Sequence, residues 1–188
     1  MDFQEFPKMP RWSRDILITE KIDGTNAQVY IGDDGEFLTG SRTRWITPDD
    51  DNFGFSRWAH ENKEELMKLG PGRHFGEWWG QGVQRGYGLK EKRFSLFNVS
   101  RWFDTDSASE ELDGRMLAPA CCHVVPLLVK GPNNPGVIEA ALSILKERGS
   151  YAAPGFMDPE GVVLFHIAGN FGFKKTIKKD EVPKALAK

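Results

Sequence analysis

A lysine closes the first apolar run of this chain. Ile16-Leu17-Ile18-Thr19 reads as a strand, and Glu20-Lys21 follows it before the sequence turns at Asp23-Gly24. An ammonium at the end of such a strand is costly to desolvate, so a fold that contains this run must be arranged around the charge. One arrangement is chemical. A lysine held among other cations or beside a metal can shed its proton and act as a nucleophile.

Strand signals dominate on both sides of that lysine. Residues 1–15 are polar, broken by prolines and dotted with Phe3, Phe6 and Trp12, which predicts an irregular arm. Positions 26–31 alternate, with Ala27, Val29 and Ile31 on one face, and Gly32-Asp33-Asp34-Gly35 is a hairpin turn returning along 36–40. Trp58, Asn62, Leu66 and Leu69 recur at helical spacing, so 56–69 is expected to be an amphipathic helix stopped by Gly70-Pro71-Gly72. Strands are expected at 73–80, 93–99, 121–129 and 162–165. A second helix should begin at Pro135 after Asn133-Asn134, bury Val137, Ile138, Ala141, Leu142 and Leu145, and end at Gly149. Between these, 81–92 is a Gly-rich loop expected to be mobile. The stretch 100–117, with Asp104, Asp106, Glu110 and Glu111, reads as a surface excursion, and 177–188 as a basic, solvated tail.

Composition narrows the function classes. The 188 residues suit one substantial domain. A net charge of −2 excludes a general polyanion binder, so any nucleic-acid contact must come from a local patch. No apolar run is long enough to span a membrane, and the first residues show no signal peptide. The two cysteines, Cys121 and Cys122, are adjacent, which gives neither a zinc spacing nor a disulfide framework. They read as buried thiols in a strand, in keeping with a reducing, cytoplasmic compartment. No Walker loop and no G-x-G-x-x-G occurs, so a bound nucleotide would be held by another device.

Several polar residues stand where burial would be costly. Arg42 and Arg44 sit two apart in what reads as an extended segment, either gripping phosphate or ribose or lining a solvated edge. Asp49-Asp50-Asp51 is either a metal site or a solvated, helix-starting loop. Glu77 lies among aromatics and needs a partner or a substrate hydroxyl, unless it is an edge residue facing water. Arg85, Lys90 and Lys92 make the 81–92 loop a candidate for holding polyphosphate or a nucleic-acid strand. Phe94 and Phe97 fall on opposite faces of an alternating strand, and either is a candidate core residue. Glu160 heads an apolar strand as an exposed carboxylate. Lys174 and Lys175 are adjacent, so only one of them can face a given side of a strand, and Lys174 is preferred.

Taken in order, these stretches resemble the covalent nucleotidyltransferases, the superfamily of polynucleotide ligases and mRNA capping enzymes, and most of all the ATP-dependent RNA ligase family. Lys21-Ile22-Asp23-Gly24-Thr25-Asn26 is similar to motif I, K-x-D-G, in the extended form of the RNA ligase branch. Ser41-Arg42-Thr43-Arg44 resembles motif Ia, Phe75-Gly76-Glu77 motif III, 93–99 motif IIIa, Glu160-Gly161-Val162-Val163 motif IV, and 171–176 motif V. Motif V is commonly K-x-K, and here the lysines are adjacent.

The resemblance implies an α+β ligase-type nucleotidyltransferase domain with antiparallel sheets and flanking helices, filling the whole chain without an OB-fold. It implies ATP as co-substrate and Mg²⁺ or Mn²⁺ as metal. Lys21 would be the nucleophile, with Glu160 and Asp23 as metal ligands and Lys174, or Lys175, on the α-phosphate. Glu77 would orient the ribose, Phe97 would stack on the base, and Arg42 would touch the nucleotide or a nucleic-acid end. Glu20 and Asn26 count with the nucleotide-binding residues. The implied reaction forms lysyl-AMP, passes AMP to a 5′-phosphate end and seals that end to a 3′-hydroxyl of RNA or DNA, in RNA repair or a related process. An accessory protein is allowed as a source of end-binding surface, and no membrane is involved. Two other readings stand beside it: a nucleotide- or nucleic-acid-binding module that does not ligate, and a capping-type guanylyltransferase.

Overall fold

The computed structural model describes residues 1–105, 114–178 and 180. Its strands are β1 (Asp15–Lys21), β2 (Thr25–Ile31), β3 (Phe37–Gly40), β4 (Trp45–Ile46), β5 (Gly72–Gly80) and β6 (Lys92–Leu96) in the first half of the chain. They continue as β7 (Trp102–Phe103), β8 (Met116–Leu117), β9 (Cys122–Val124), β10 (Leu127–Pro132), β11 (Gly161–His166) and β12 (Phe171–Thr176). The helices are α1 (Phe55–Glu61), α2 (Lys63–Leu66) and α3 (Val137–Arg148). This is the expected α+β class. Its strand pairs are antiparallel apart from β6 with β9 and β7 with β8. Among the described residues no helix is long and apolar enough to cross a membrane. The chain divides into two compact units, and it passes from one to the other between Lys21 and Ile22.

The first unit comprises residues 1–21, 127–150 and 157–188. Its sheet has the order β10-β1-β11-β12. Ile16 and Ile18 of β1 pack with Val162 and Leu164 of β11 against Ala141, Leu142 and Leu145 of α3. Each fully buried aliphatic side chain of this kind contributes about 1.5–3 kcal/mol. The apolar face predicted for α3 is therefore the face that is buried. The helix begins at Val137, later than Pro135, because the Asn134 side chain accepts from Gly136 N–H and holds a turn there. The arm before β1 is irregular and exposed, as expected. Of the expected solvated tail, Ile177 packs on the core and Lys178 pairs with Asp158 at 2.7 Å, while 179 and 181–188 lie outside the described residues.

The second unit comprises residues 22–126 and 151–156. Its main sheet has the order β4-β3-β2-β5-β6-β9. Aromatic rings fill one side of it. Phe55 and Phe94 lie 5.1 Å apart between centroids, and Trp58 and Trp78 lie 4.9 Å apart. The long helix predicted over 56–69 is broken at Asn62. Its side-chain amide donates to Trp58 O at 2.8 Å, and its φ of −104° leaves the helical range. The acidic loop proves to be the helix-starting one, since the two Asp51 carboxylate oxygens accept from Ser56 and Arg57 N–H at 2.8 and 3.0 Å.

Three further expectations change. The strand read over 121–129 is two strands, β9 in one unit and β10 in the other, because Pro126 supplies no N–H for a ladder. The excursion at 100–117 contains buried structure. Trp102 is 3% exposed, and Asp104 accepts from Val124 N–H at 2.6 Å. Asp106, Glu110 and Glu111 lie outside the described residues. Cys122 is buried in β9 as expected, whereas Cys121 before it is half-buried.

Candidate active site

Strand parity decides which side chains of the first unit share a surface. Successive side chains alternate between faces, and residues paired across strands share one. Ile16, Ile18, Val162 and Leu164 lie on the α3 side, and so does Glu20, which pairs with Val162. Glu20 is 1% exposed and accepts from Ser150 Oγ, just beyond α3, at 2.6 Å. Lys21 falls on the opposite face, in register with Gly161 and, one strand further, Thr176.

On that face the Lys21 Nζ donates to Glu160 Oε2 at 2.6 Å. The Glu160 carboxylate, expected to be exposed, is withdrawn from solvent because the ammonium meets it, a charge-assisted bond of the strong kind. Gly161 makes the arrangement possible. A Cβ there would come within 2.2 Å of the Lys175 carbonyl oxygen, so only glycine lets β12 close against the head of β11.

The two lysines of β12 separate cleanly. Lys175 pairs with Val162, so it lies on the α3 side, where its Nζ donates to Glu139 Oε1 at 2.8 Å. That hydrogen bond, with the charge of Glu139, pushes its pKa above the ordinary lysine range. Lys174 pairs with Val163 and stands exposed on the Lys21 side, with Thr176 in the next position on that face. Glu20 and Lys175 do not share the face of Lys21.

The second unit gathers its own set. Asn26 of β2 is directly opposite Glu77 of β5. Glu77 Oε1 accepts from Gly24 N–H and Oε2 from Asn26 Nδ2, each at 3.1 Å. β5 runs between β2 and β6, so Glu77 is an interior-strand carboxylate, 8% exposed, with both oxygens aimed by the lysine motif. Gly24 is confined in turn. A Cβ on it would lie 2.5 Å from the Trp78 carbonyl oxygen and 2.7 Å from Trp79 Cβ.

Asp23 is held by residues that the sequence gave no reason to single out for that task. Arg85 Nε donates to Asp23 Oδ2 at 3.0 Å, and Asp23 N–H donates to the Tyr87 hydroxyl at 2.8 Å. The 81–92 loop, expected to be mobile, is anchored: Val83 and Tyr87 are buried, and Tyr87 packs on Trp79 at 5.0 Å and on Phe156 at 4.6 Å. The signal that could have found it is Tyr87 itself, a large aromatic inside a Gly-rich loop. Ser150 carried no signal, being one hydroxyl after a helix stop.

Phe94 is the core residue of the aromatic pair, fully buried, and Phe97 just beyond β6 is 40% exposed. Arg42 and Arg44 lie in a tight turn rather than an extended segment, since Ser41 N–H donates to Arg44 O at 2.8 Å. Arg44 pairs with Asp50, and Arg42 is exposed without an ion-pair partner among the described residues.

Among the described residues no three His, Cys, Asp or Glu side chains are grouped for a metal ion. Mg²⁺ does not require such a cage, because it is commonly bound through one or two carboxylates together with substrate phosphates and water. Glu160 fits that pattern. Asp23 fits it less well, because a guanidinium already occupies one of its oxygens.

A family model described as RNA ligase matches residues 14–179. No curated protein matches the chain. Among solved structures, one Naegleria gruberi RNA ligase mutant with ATP and Mn is 20% identical, with a TM-score of 0.58 over 89% of this chain and 51% of that one. A second such mutant with ATP and Mn is 21% identical, with a TM-score of 0.57 over 86% and 48%. The Naegleria gruberi RNA ligase with PPi is 22% identical, with a TM-score of 0.55 over 87% and 50%. The likeness to these proteins is one of fold, and the chain spans about half of their length.

Proposed function

The chain belongs to the RNA ligase family, and from that premise we propose that it is an ATP-dependent nucleotidyltransferase that makes a covalent lysyl-AMP on Lys21 and joins polynucleotide ends, RNA first among them. The observation that carries this reading is the Lys21–Glu160 pair at 2.6 Å. It puts the one lysine of the K-x-D-G run beside the carboxylate of the E-G-V-V run, 139 residues away.

In this reading the Lys21 amine attacks the α-phosphorus of ATP in line with the leaving group. A P–N bond forms, the bond from the α-phosphorus to the bridging oxygen breaks, and pyrophosphate departs. The amine must first give up a proton, and the Glu160 carboxylate is its hydrogen-bond acceptor. Glu160, helped by the phosphates, would hold a divalent ion, which supplies charge neutralisation at the α-phosphate when bound. Lys174, on the same face as Lys21, offsets charge on the same phosphate. Glu77 accepts from a ribose hydroxyl, with its carboxylate already aimed by Gly24 and Asn26. Phe97 offers an exposed ring to the base. Arg85 and Tyr87 hold Asp23 and so position the residues next to the nucleophile. In two later steps the adenylate passes to a 5′-phosphate, and a 3′-hydroxyl displaces AMP.

The test is self-labelling. The protein, stripped of adenylate with pyrophosphate, is incubated with α-labelled ATP or GTP and Mg²⁺ and run on a denaturing gel beside Lys21→Ala. A Lys21-dependent band from ATP is the expected result. Label from GTP alone would give the capping-type reading, and no label from either would give the binding module.

A further inference from the structure

The second unit carries a row of exposed rings that begins at Phe97, the ring offered to the base, and continues over Phe75 and Trp45, which the nucleotidyl-transfer chemistry does not use. On the main sheet, Trp45 of β4 pairs with Gly40, Gly40 with Gln28, and Gln28 with Phe75. Phe97 N–H then donates to Phe75 O at 3.0 Å, continuing the register onto the next strand. Residues so paired share one face. It is the face of Glu77, and it is opposite to the one filled by Phe55, Trp78 and Phe94. Along it Trp45 is 44% exposed, Phe75 52% and Phe97 40%. Large apolar rings left in water along one line of a sheet are a cost unless something covers them.

Charge says what covers them. The Arg73 guanidinium lies 5.0 Å from the Tyr30 ring and 5.2 Å from the Trp45 ring, and its NH1 donates to Gln28 Oε1 at 3.3 Å. A guanidinium held against two rings offers a further stacking surface as well as a phosphate partner. Arg42, exposed in the turn beside β4, adds a second cation without an ion-pair partner among the described residues. Apolar rings spaced by arginines suit a ligand with flat faces and a negative backbone. An apolar protein partner would leave both guanidinium groups uncompensated.

We propose that this row is a platform for unpaired RNA bases, on which a single-stranded segment of the polynucleotide stacks over Phe75 and Trp45, outward from the base site at Phe97. Neighbouring strands are about 4.8 Å apart, so four strand steps give a track of about 19 Å. Stacking reads no base edge, so the platform accepts any sequence but requires the bases to be unstacked from a partner strand. The inference deepens the proposed function in that it names the form of the polynucleotide. It rests on that reading only for the choice of RNA.

The experiment is fluorescence anisotropy of labelled oligouridylate and oligoadenylate, without ATP or divalent ions, against the full chain. Trp45→Ala and Phe75→Ala are each expected to weaken binding about fivefold or more. Arg42→Ala should reduce the salt slope by about one charge. The two oligomers should bind alike, and a blunt RNA duplex of the same length more weakly. Unchanged affinity in both ring variants, or a preference for the duplex, would overturn the platform. As a second measurement, 5-iodouridine cross-linking to the wild-type chain should mark β4 and β5, and cross-links confined to other elements would overturn it equally. Self-labelling of the wild-type chain needs no RNA. Loss of label with intact ring-dependent binding therefore removes the proposed chemistry and keeps the platform, while the converse result does the opposite.

Discussion

Lys174 and Lys175 are neighbours in sequence and stand on opposite faces of β12, the first with Lys21 and the second tied to Glu139 of α3 at 2.8 Å. They are therefore expected to differ as variants. Lys174→Ala should slow lysyl-AMP formation by about tenfold or more, as loss of one charge-stabilising donor does. Lys175→Ala and Glu139→Ala should leave the rate within about threefold, because an exposed pair contributes little. Single-turnover labelling with ATP separates the two.

The Glu77 carboxylate should be felt in both stability and substrate binding. Glu77→Ala leaves Gly24 N–H and the Asn26 amide without their acceptor. An unfolding cost of about 1–3 kcal/mol is expected from denaturant titration. The KM for ATP in self-labelling should rise as well, as the proposed contact to the ribose requires.

Tyr87→Phe tests the anchored loop. It removes only the hydroxyl that accepts from Asp23 N–H and leaves the packing on Trp79 and Phe156. A destabilisation of about 1–3 kcal/mol is expected, together with slower adenylylation at saturating ATP. A normal rate at saturating ATP would deny Tyr87 a positioning role.

Phe94 and Phe97 should part company in the same way as the lysines. Phe94→Ala opens the aromatic core and should cost about 3–5 kcal/mol. Phe97→Ala, on an exposed ring, should shift stability by less than about 1 kcal/mol and act on ATP affinity instead. Thermal melts beside nucleotide titrations distinguish the two.

His74 gives a pH dependence. It is buried in β5 with its Nε2 on Gly70 O at 2.9 Å, and burial pushes its pKa below the ordinary 6.5. The unfolded chain then binds a proton at higher pH than the folded one does. The contribution of His74 is fully present above about pH 6.5 and is lost as the pH falls through the lowered folded value, with a slope of at most about 1.4 kcal/mol per pH unit. Urea midpoints between pH 7.5 and 5.5 should fall less for His74→Gln than for the wild type.

The legible part of this protein was whatever periodicity or a charged residue in an apolar run made visible. β1, β2 and β5, the apolar face of α3, and the order of the motifs around Lys21, Glu77 and Glu160 all carry such a signal. The alternation rule even separated Lys174 from Lys175. The illegible part depends on contacts between residues distant in sequence. Nothing local says that Glu160 is buried by an ammonium 139 residues away, that Ser150 holds Glu20, or that Tyr87 turns a Gly-rich loop into an anchor. Asn62 broke a helix that its neighbours favoured, because its amide found Trp58 O sooner than solvent. Pro126 split one apolar run into strands of two units by lacking a single hydrogen.

The closure of β12 on Gly161 has a consequence for how variants of this chain should be compared. Between Phe171 and Thr176 it is the count of residues, more than their identity, that assigns each lysine its surroundings. Removing Gly172 would leave both lysines in an alignment and alter no charge. With the strand still fastened downstream by Ile177 N–H on Glu160 O at 2.9 Å, the residues after the gap would keep their places and the rings of Phe171 and Phe173 would part. Fastened upstream instead, the same deletion would turn Lys174 toward α3 and bring Lys175 round to the face of Lys21. Insertions and deletions here are thus exchanges of address, invisible to any score that matches residue types alone.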